Sequence, residues 1–337
     1  MNKTSSILII GLGSMGKRRI RNLMKLGYKN IIGFDVREDR RIEANKVYGI
    51  ETISNMNSIL ERKPKIVIIS TPPDLHLKYA NIAIKKEINF FMELNLISKD
   101  VKTIIQKSKK KSIIISPSST MLFHPVVKRL KKLLDAQMIG RVLTVFHHTG
   151  HYLPNWHPWE DYRDFFVSKK ETGGAKEILP IELSWLIYLF SSVQSVCGNV
   201  KKISKLDTDI DDVYQLLLEF ENNILCTLVI DVLSIPSSRE TRIIGEKGTI
   251  ICDFINGFIK ISHGHDWKSI KVNMGVVAKG YKKGTPPETP YEDEMRSFLN
   301  HVNLNKKYPL SIADELKILQ IVDAASVSSR NGAKIYF

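Results

Sequence analysis

Over roughly its first 120 residues the chain alternates short unbroken apolar runs with longer stretches whose apolar positions recur every three or four residues. Ile7–Ile10, 30–35, Ile66–Ile69, 89–93 and 113–115 read as strands. A wholly apolar run such as Ile66-Val67-Ile68-Ile69 is the kind buried on both faces of a parallel sheet. The segments 17–26, 37–48, 58–61, 75–85 and 101–109 carry helical spacing, and Gly27 and Gly49 end the first two. Strands spaced by helices predict an α/β doubly wound Rossmann parallel sheet over residues 1–122, with ligands at the carboxyl ends of its strands.

The texture then changes. After a helix at 126–134, strict alternation takes over at 142–148, 213–220, 224–232, 241–244, 249–252, 258–261 and 269–272. Asn222-Asn223 and Asn256-Gly257 are hairpin signals. Residues 123–337 are therefore expected to form an α+β domain with a large, open, mostly antiparallel sheet. Helices such as 182–190 should cover one face, and 291–303 and 312–330 should close the chain.

The first strand runs straight into Gly11-Leu12-Gly13-Ser14-Met15-Gly16. That spacing gives a tight turn, a close backbone approach to a pyrophosphate and a close helix–strand contact. Asp35 follows at the end of the second strand, where a carboxylate accepts from adenosine ribose hydroxyls and favours NAD over NADP. Val36 and Arg37 flank that position, and Arg37 is the residue that would meet a 2′-phosphate.

Composition adds little: 337 residues, 43% hydrophobic and 25% charged, are ordinary for two globular domains. No apolar run reaches the ~20 residues that cross a bilayer, and no membrane partner is expected. Cys197, Cys226 and Cys252 are odd in number and lack metal-ligand spacing, so they read as reduced core residues of a cytoplasmic protein and no metal is expected. Fifty Lys and Arg against 35 Asp and Glu give +15. The lysines are dispersed without aromatic interleaving, which argues for a solvated surface and against a nucleic-acid partner.

Several marks together resemble the Gfo/Idh/MocA oxidoreductases along essentially the whole chain. They are the Gly11–Gly16 turn, Ser70-Thr71-Pro72-Pro73 with His76, Glu93 after a strand, Gly173-Gly174 before an apolar helix, Gly245-Glu246-Lys247-Gly248-Thr249, and Ala324-Ala325-Ser326-Val327-Ser328-Ser329. The resemblance implies hydride transfer between NAD(P) and a hydroxyl or ketone of a sugar, polyol or related compound. It adds Ser70, Thr71, Pro72, Pro73, His76, Glu93 and Asn95 to the cofactor-binding residues Gly11, Gly13, Ser14, Met15, Gly16, Asp35, Val36 and Arg37. It also implies a homodimer or homotetramer formed through the open sheet.

The chain departs from the family at its acid/base positions. Where relatives carry Glu-Lys-Pro this chain reads Glu93-Leu94-Asn95, and leucine moves no proton. The family's aspartate and histidine, four residues apart after the double glycine, fall on Glu177 and Ile181. The expected proton-handling groups are thus Glu177 with His151 or Tyr152. The polar-aromatic segment 147–163 supplies Trp156, His157, Tyr162 and Arg163, which with Lys176 are expected to grip the substrate. The expected reaction is NAD-dependent oxidation or reduction of a sugar, sugar acid or nucleotide-linked sugar in surface-polysaccharide or nonulosonic-acid metabolism. The alternatives are a redox epimerase with tightly held NAD and a non-catalytic NAD sensor or partner subunit.

Overall fold

The computed structural model describes residues 5–56, 62–156, 160–277 and 287–337. The helix expected at 58–61 and the substrate residue His157 lie outside them. The chain divides into two compact units: residues 1–120 with 288–316, and residues 121–287 with 317–337. Segment 288–316, expected in the second domain, thus returns to the first.

In the first unit the order is β1 (Ile7–Ile10), α1 (Ser14–Lys25), β2 (Ile31–Phe34), α2 (Glu38–Tyr48), β3 (Glu51–Ile53), β4 (Ile66–Ile69), α3 (His76–Lys85), β5 (Asn89–Met92), α4 (Ser98–Ser108) and β6 (Ile115–Pro117). The six strands form one sheet, β3-β2-β1-β4-β5-β6, with every pairing parallel. The expected strand at 113–115 starts two residues later because Asn89 Oδ1 takes the Ile114 amide before the ladder begins. Strand β3, whose residues alternate weakly and lie at the sheet edge, was not anticipated. Apolar runs on β1, β4 and β5 pack against α3 and α4 around Leu8, Val67, Ala80, Ile84, Phe90 and Ile104. Helix α7 (Thr289–Leu304) lies against α1, tied by Arg18 to Glu288 at 3.0 Å and Lys25 to Glu292 at 2.7 Å.

The second unit holds α5 (Pro125–Asp135), β7 (Val142–Gly150), α6 (Ala175–Phe190), β8 (Val193–Lys201), β9 (Val213–Phe220), β10 (Leu225–Asp231), β11 (Ser238–Gly245), β12 (Gly248–Asp253), β13 (Phe258–Ser262) and β14 (Lys268–Lys271). Helix α8 (Ile312–Asn331) and β15 (Ile335–Tyr336) end the chain. The nine-stranded sheet runs β14-β13-β12-β11-β7-β10-β9-β8-β15 and is antiparallel except where β10 meets β7. Helix α6 covers β9 and β10, burying Leu216, Leu218, Leu228 and Ile230. On the opposite face the register aligns Phe146, Thr227 and Leu217, and Phe146, Leu217 and Leu225 remain exposed. All three cysteines are unpaired. Among the described residues no helix is long and apolar enough to cross a membrane.

Candidate active site

The turn between β1 and α1 is set by contact distances. A Cβ on Gly16 would sit 1.8 Å from the Gly11 carbonyl oxygen, and one on Gly11, at φ +92°, would sit 2.5 Å from the Ser70 carbonyl oxygen. Only glycine lets α1 lie this close to the strand. Helix α1 opens at Ser14 with no side-chain cap and no acid in its first turn, so its amide end is left for an anion. Asp35 is buried at the tip of β2; its Oδ2 accepts the Leu12 amide at 2.8 Å and its Oδ1 the Arg37 amide at 2.9 Å. Each carboxylate oxygen keeps further acceptor capacity for ribose hydroxyls. A glycine turn, an uncapped helix end and a fixed carboxylate fit a dinucleotide.

Val36 is exposed beside this turn, and Arg37 is engaged by Asp39 at 2.6 Å. A guanidinium that approaches the Asp35 carboxylate is that of Arg40, which sequence reasoning missed. Its Nη1 lies 3.8 Å from Asp35 Oδ2 and 3.4 Å from where a Gly13 Cβ would stand. Its signal was a helical phase that turns position 40 of α2 back toward the turn.

At the carboxyl end of β4, Ser70-Thr71-Pro72-Pro73 leads into α3. His76 is fully enclosed; its Nε2 meets the Thr71 carbonyl at 2.9 Å and its Nδ1 meets Asn95 Oδ1 at 2.9 Å. Glu93 receives two bonds from Arg19, at 2.6 and 2.9 Å. The third arm of that guanidinium, Nη1, reaches Glu294 on α7 at 2.8 Å. Burial alone pulls the Arg19 pKa down, but the two carboxylates outweigh it and hold the group above its ordinary value. The carboxylate after β5 is therefore clamped, while Leu94 next to it offers no polar side-chain atom.

In the second unit, Gly173-Gly174 aims α6. A Cβ on Gly173 would stand 1.9 Å from the Val167 carbonyl, and Gly174 takes φ +64°. Glu177 follows in the first turn of the helix. It is half-buried, yet its Oε2 is enclosed and has no hydrogen-bond partner. Burial pushes its carboxyl up to about 8. Lys176 beside it is half-buried, and Pro180 has no N–H to give the Lys176 carbonyl. One turn on, Ile181 is flanked by Glu182, which sequence reasoning did not single out.

Glu182 is the centre of a buried cluster. Its Oε2 accepts from Trp185 Nε1 at 2.7 Å and meets His147 Nε2 at 2.9 Å, while Arg239 Nη2 lies 2.8 Å from Oε1. Burial alone would raise its pKa, but Arg239 and His147 bring it to about 2. Arg239 keeps 28% of its side chain exposed. Its charge, after burial, also lowers His151, and with burial lowers His124 to about 4. No local motif marks this cluster; it depends on the register that places Arg239 of β11 opposite Thr149 of β7.

The segment after β7 is held at its root. Asp231 Oδ1 accepts the Leu233 and Ser234 amides, its Oδ2 meets His148 Nε2 at 2.7 Å, and its carbonyl takes the His151 amide at 3.2 Å. Tyr152 bonds back to Ser234. Trp156 donates Nε1 to the His151 carbonyl at 2.9 Å and its ring lies 5.8 Å from the imidazole, so these two are brought together. Tyr162 and Arg163 turn elsewhere: the Tyr162 hydroxyl accepts the Asp207 amide, and Arg163 is paired with Asp161 at 2.6 Å and Asp207 at 3.0 Å. Among the described residues no hydrogen bond or ring contact joins Glu177 to His151 or Tyr152, and no group of three or more His, Cys, Asp or Glu is placed to hold a metal.

These features agree with comparisons to known proteins. Residues 5–118 match the model of the oxidoreductase family with an NAD-binding Rossmann fold, and residues 127–251 match the GFO/IDH/MocA C-terminal domain. Oxidoreductase P35 of Formosa agariphila is 23% identical over 239 residues, spanning 67% of this chain and 71% of that protein. An oxidoreductase from Agrobacterium radiobacter, solved with NAD+, L-tartaric acid and magnesium, superposes with a TM-score of 0.88 at 13% identity over 98% of both chains. Levoglucosan dehydrogenase in complex with NADH superposes at 0.84 with 18% identity over 99% of both. The two structures share the fold, and the two matched domains cover well over half the chain: it belongs to the Gfo/Idh/MocA family and is an NAD-dependent oxidoreductase.

Proposed function

We propose that the protein oxidises or reduces a hydroxyl-bearing carbon of a sugar or sugar acid, with Glu177 handling the hydroxyl proton. The observation that carries this is the enclosed, unpartnered Oε2 of Glu177 at the head of α6. When bound, NAD supplies the acceptor or donor of the hydride. In the oxidative direction the carboxylate of Glu177 takes the hydroxyl proton as the carbon gives up its hydride; in reverse the carboxylic acid returns it. A carboxyl group near 8 holds both forms at neutral pH, which suits an acid/base group. His151 stays neutral beside Arg239, so with Tyr152 it donates or accepts single hydrogen bonds. Trp156 and Lys176 shape the substrate side, and the exposed part of Arg239 suits an anionic substituent, whereas Tyr162 and Arg163 are taken up by Asp207 and Asp161.

Asp35 favours NAD and holds it with Gly11, Gly13 and the amide end of α1. The same reading places the substrate in surface-polysaccharide or nonulosonic-acid metabolism, the enzyme in the cytoplasm, and a homodimer or homotetramer on the sheet face of Phe146, Leu217 and Leu225. Leu94 and Ile181 favour one second reading, a protein that binds NAD without turnover. A screen of sugars, sugar acids and nucleotide-linked sugars at 340 nm separates the two. Substrate-dependent change in the nicotinamide absorbance supports the enzyme, and bound NAD without change across the panel supports the second reading.

A further inference from the structure

We propose that His76, Asn95 and Glu315 form a buried relay that shares one titratable proton and, through it, sets how firmly the NAD site is held. The inference rests on the NAD reading of the first unit and extends it to three positioning residues. The geometry is a satisfiability problem. The imidazole of His76 faces the Thr71 carbonyl at Nε2 and Asn95 Oδ1 at Nδ1, both at 2.9 Å. Asn95 gives its Nδ2 to Glu315 at 2.9 and 3.0 Å and its backbone N–H to the same carboxyl at 3.3 Å. All three side chains are buried, at 1, 2 and 2% exposure.

A neutral imidazole has one N–H. With Asn95 oriented so that Nδ2 serves Glu315, both ring nitrogens face acceptors, and satisfying both needs an imidazolium. With the amide turned over, Nδ2 serves His76 Nδ1 and Oδ1 faces Glu315, which then must be the carboxylic acid. Both arrangements contain one titratable proton, and both keep the bond from Nε2–H to the Thr71 carbonyl. Once that proton leaves, an ionised Glu315 retains the Asn95 amide by the stronger, charge-assisted bond. The Asn95 amide, polarised by that carboxylate, then has the stronger acceptor oxygen, so His76 places its single N–H toward Asn95 and a bare Nε2 faces the Thr71 carbonyl.

Burial lowers His76 and raises the Glu315 carboxyl to about 7, against the bonds from Asn95, so the proton resides on Glu315. The other charged groups facing His76 are Glu93 and Asp74, which favour its charged form, and Asp100 of α4. Thr71 matters because its backbone is the floor of the glycine turn: its amide nitrogen is 3.1 Å from a Gly11 Cβ position, beside the Ser70 carbonyl at 2.5 Å. Loss of the His76 bond frees that floor.

The test is NADH affinity of the intact protein between pH 6 and 9, for wild type and Glu315→Gln. The introduced amide presents a neutral donor and acceptor at every pH, so it copies the protonated relay. The wild-type Kd should rise about tenfold across the range, the equivalent of about one buried hydrogen bond, while the variant stays flat near the wild-type pH 6 value. Histidine ring 15N shifts of the wild type, assigned with His76→Asn, should show the N–H moving from Nε2 to Nδ1 over the same range. That readout serves even if the Glu315→Gln variant does not fold. A flat wild-type Kd, an unchanged slope in Glu315→Gln, or a ring that keeps its Nε2–H overturns the relay. NADH binding at pH 6 with no pH dependence removes the relay alone; no NADH binding at any pH removes the NAD site and the relay with it.

Discussion

Replacing Glu177 by glutamine tests the central assignment through stability as well as rate. Held at about 8 against an ordinary 4.5, the carboxyl costs the native state up to about 5 kcal/mol once it ionises. Solvent reaches part of this half-buried side chain, which brings the net cost down to about 2 kcal/mol. Because the native value is raised, the protonated group's stabilisation is fully present below 4.5 and is lost as the pH climbs through 8. The amide of Glu177→Gln resembles the protonated form throughout. Wild type and variant should therefore unfold together in urea at about pH 4.5, and the variant should be the more stable by about 2 kcal/mol at pH 9. Turnover should move the other way, falling about a hundredfold or more at pH 8 as the proton acceptor disappears. A stability difference equal at both pH values would refute the desolvated carboxyl. Unchanged turnover would refute its role in proton transfer while leaving the desolvation intact.

Two further substitutions probe the first unit. Gly16→Ala places a methyl group 1.8 Å from the Gly11 carbonyl, so α1 must back away from β1; a loss of about 3 kcal/mol in urea unfolding and of measurable NADH binding is expected. Arg19→Met strands Glu93 and Glu294 without their shared cation and should cost about 3–5 kcal/mol, as read from urea unfolding at pH 8.

The parallel sheet was legible because burial on both faces leaves an unbroken apolar run, and β1, β2, β4 and β5 all carry one. Strands β3 and β15 escaped because they are short, partly exposed edges whose residues answer to one neighbour only. Strand β8 escaped for another reason: Cys197-Gly198-Asn199 interrupts its alternation, and Gly198 is required where a Cβ would meet the Gln215 carbonyl at 2.1 Å. The return of 288–316 to the first unit is carried by long-range ion pairs such as Arg18–Glu288 and Arg19–Glu294, which leave no periodic trace.

The candidate residues divide along the same line. Those for the nucleotide, in the first unit, are written in consecutive residues, because a glycine turn and the carboxylate that closes it are local backbone events. The polar cluster of the second unit is assembled by register and packing. Arg239 meets Glu182 only because β11 pairs with β7 and α6 lies over the sheet. Arg163, attractive in sequence as a free guanidinium, is claimed by Asp207 from a distant turn. Leu94 and Ile181 are apolar where the resemblance leads one to look for polar groups, and of the enclosed carboxyl groups only Glu177 falls at a position the resemblance singles out, whereas Glu182 and Glu315 sit where no short motif points. Where the expected acid/base positions are apolar, the informative residues are those whose burial leaves them short of a partner or a proton, and such a deficit becomes visible only once the fold has closed around them.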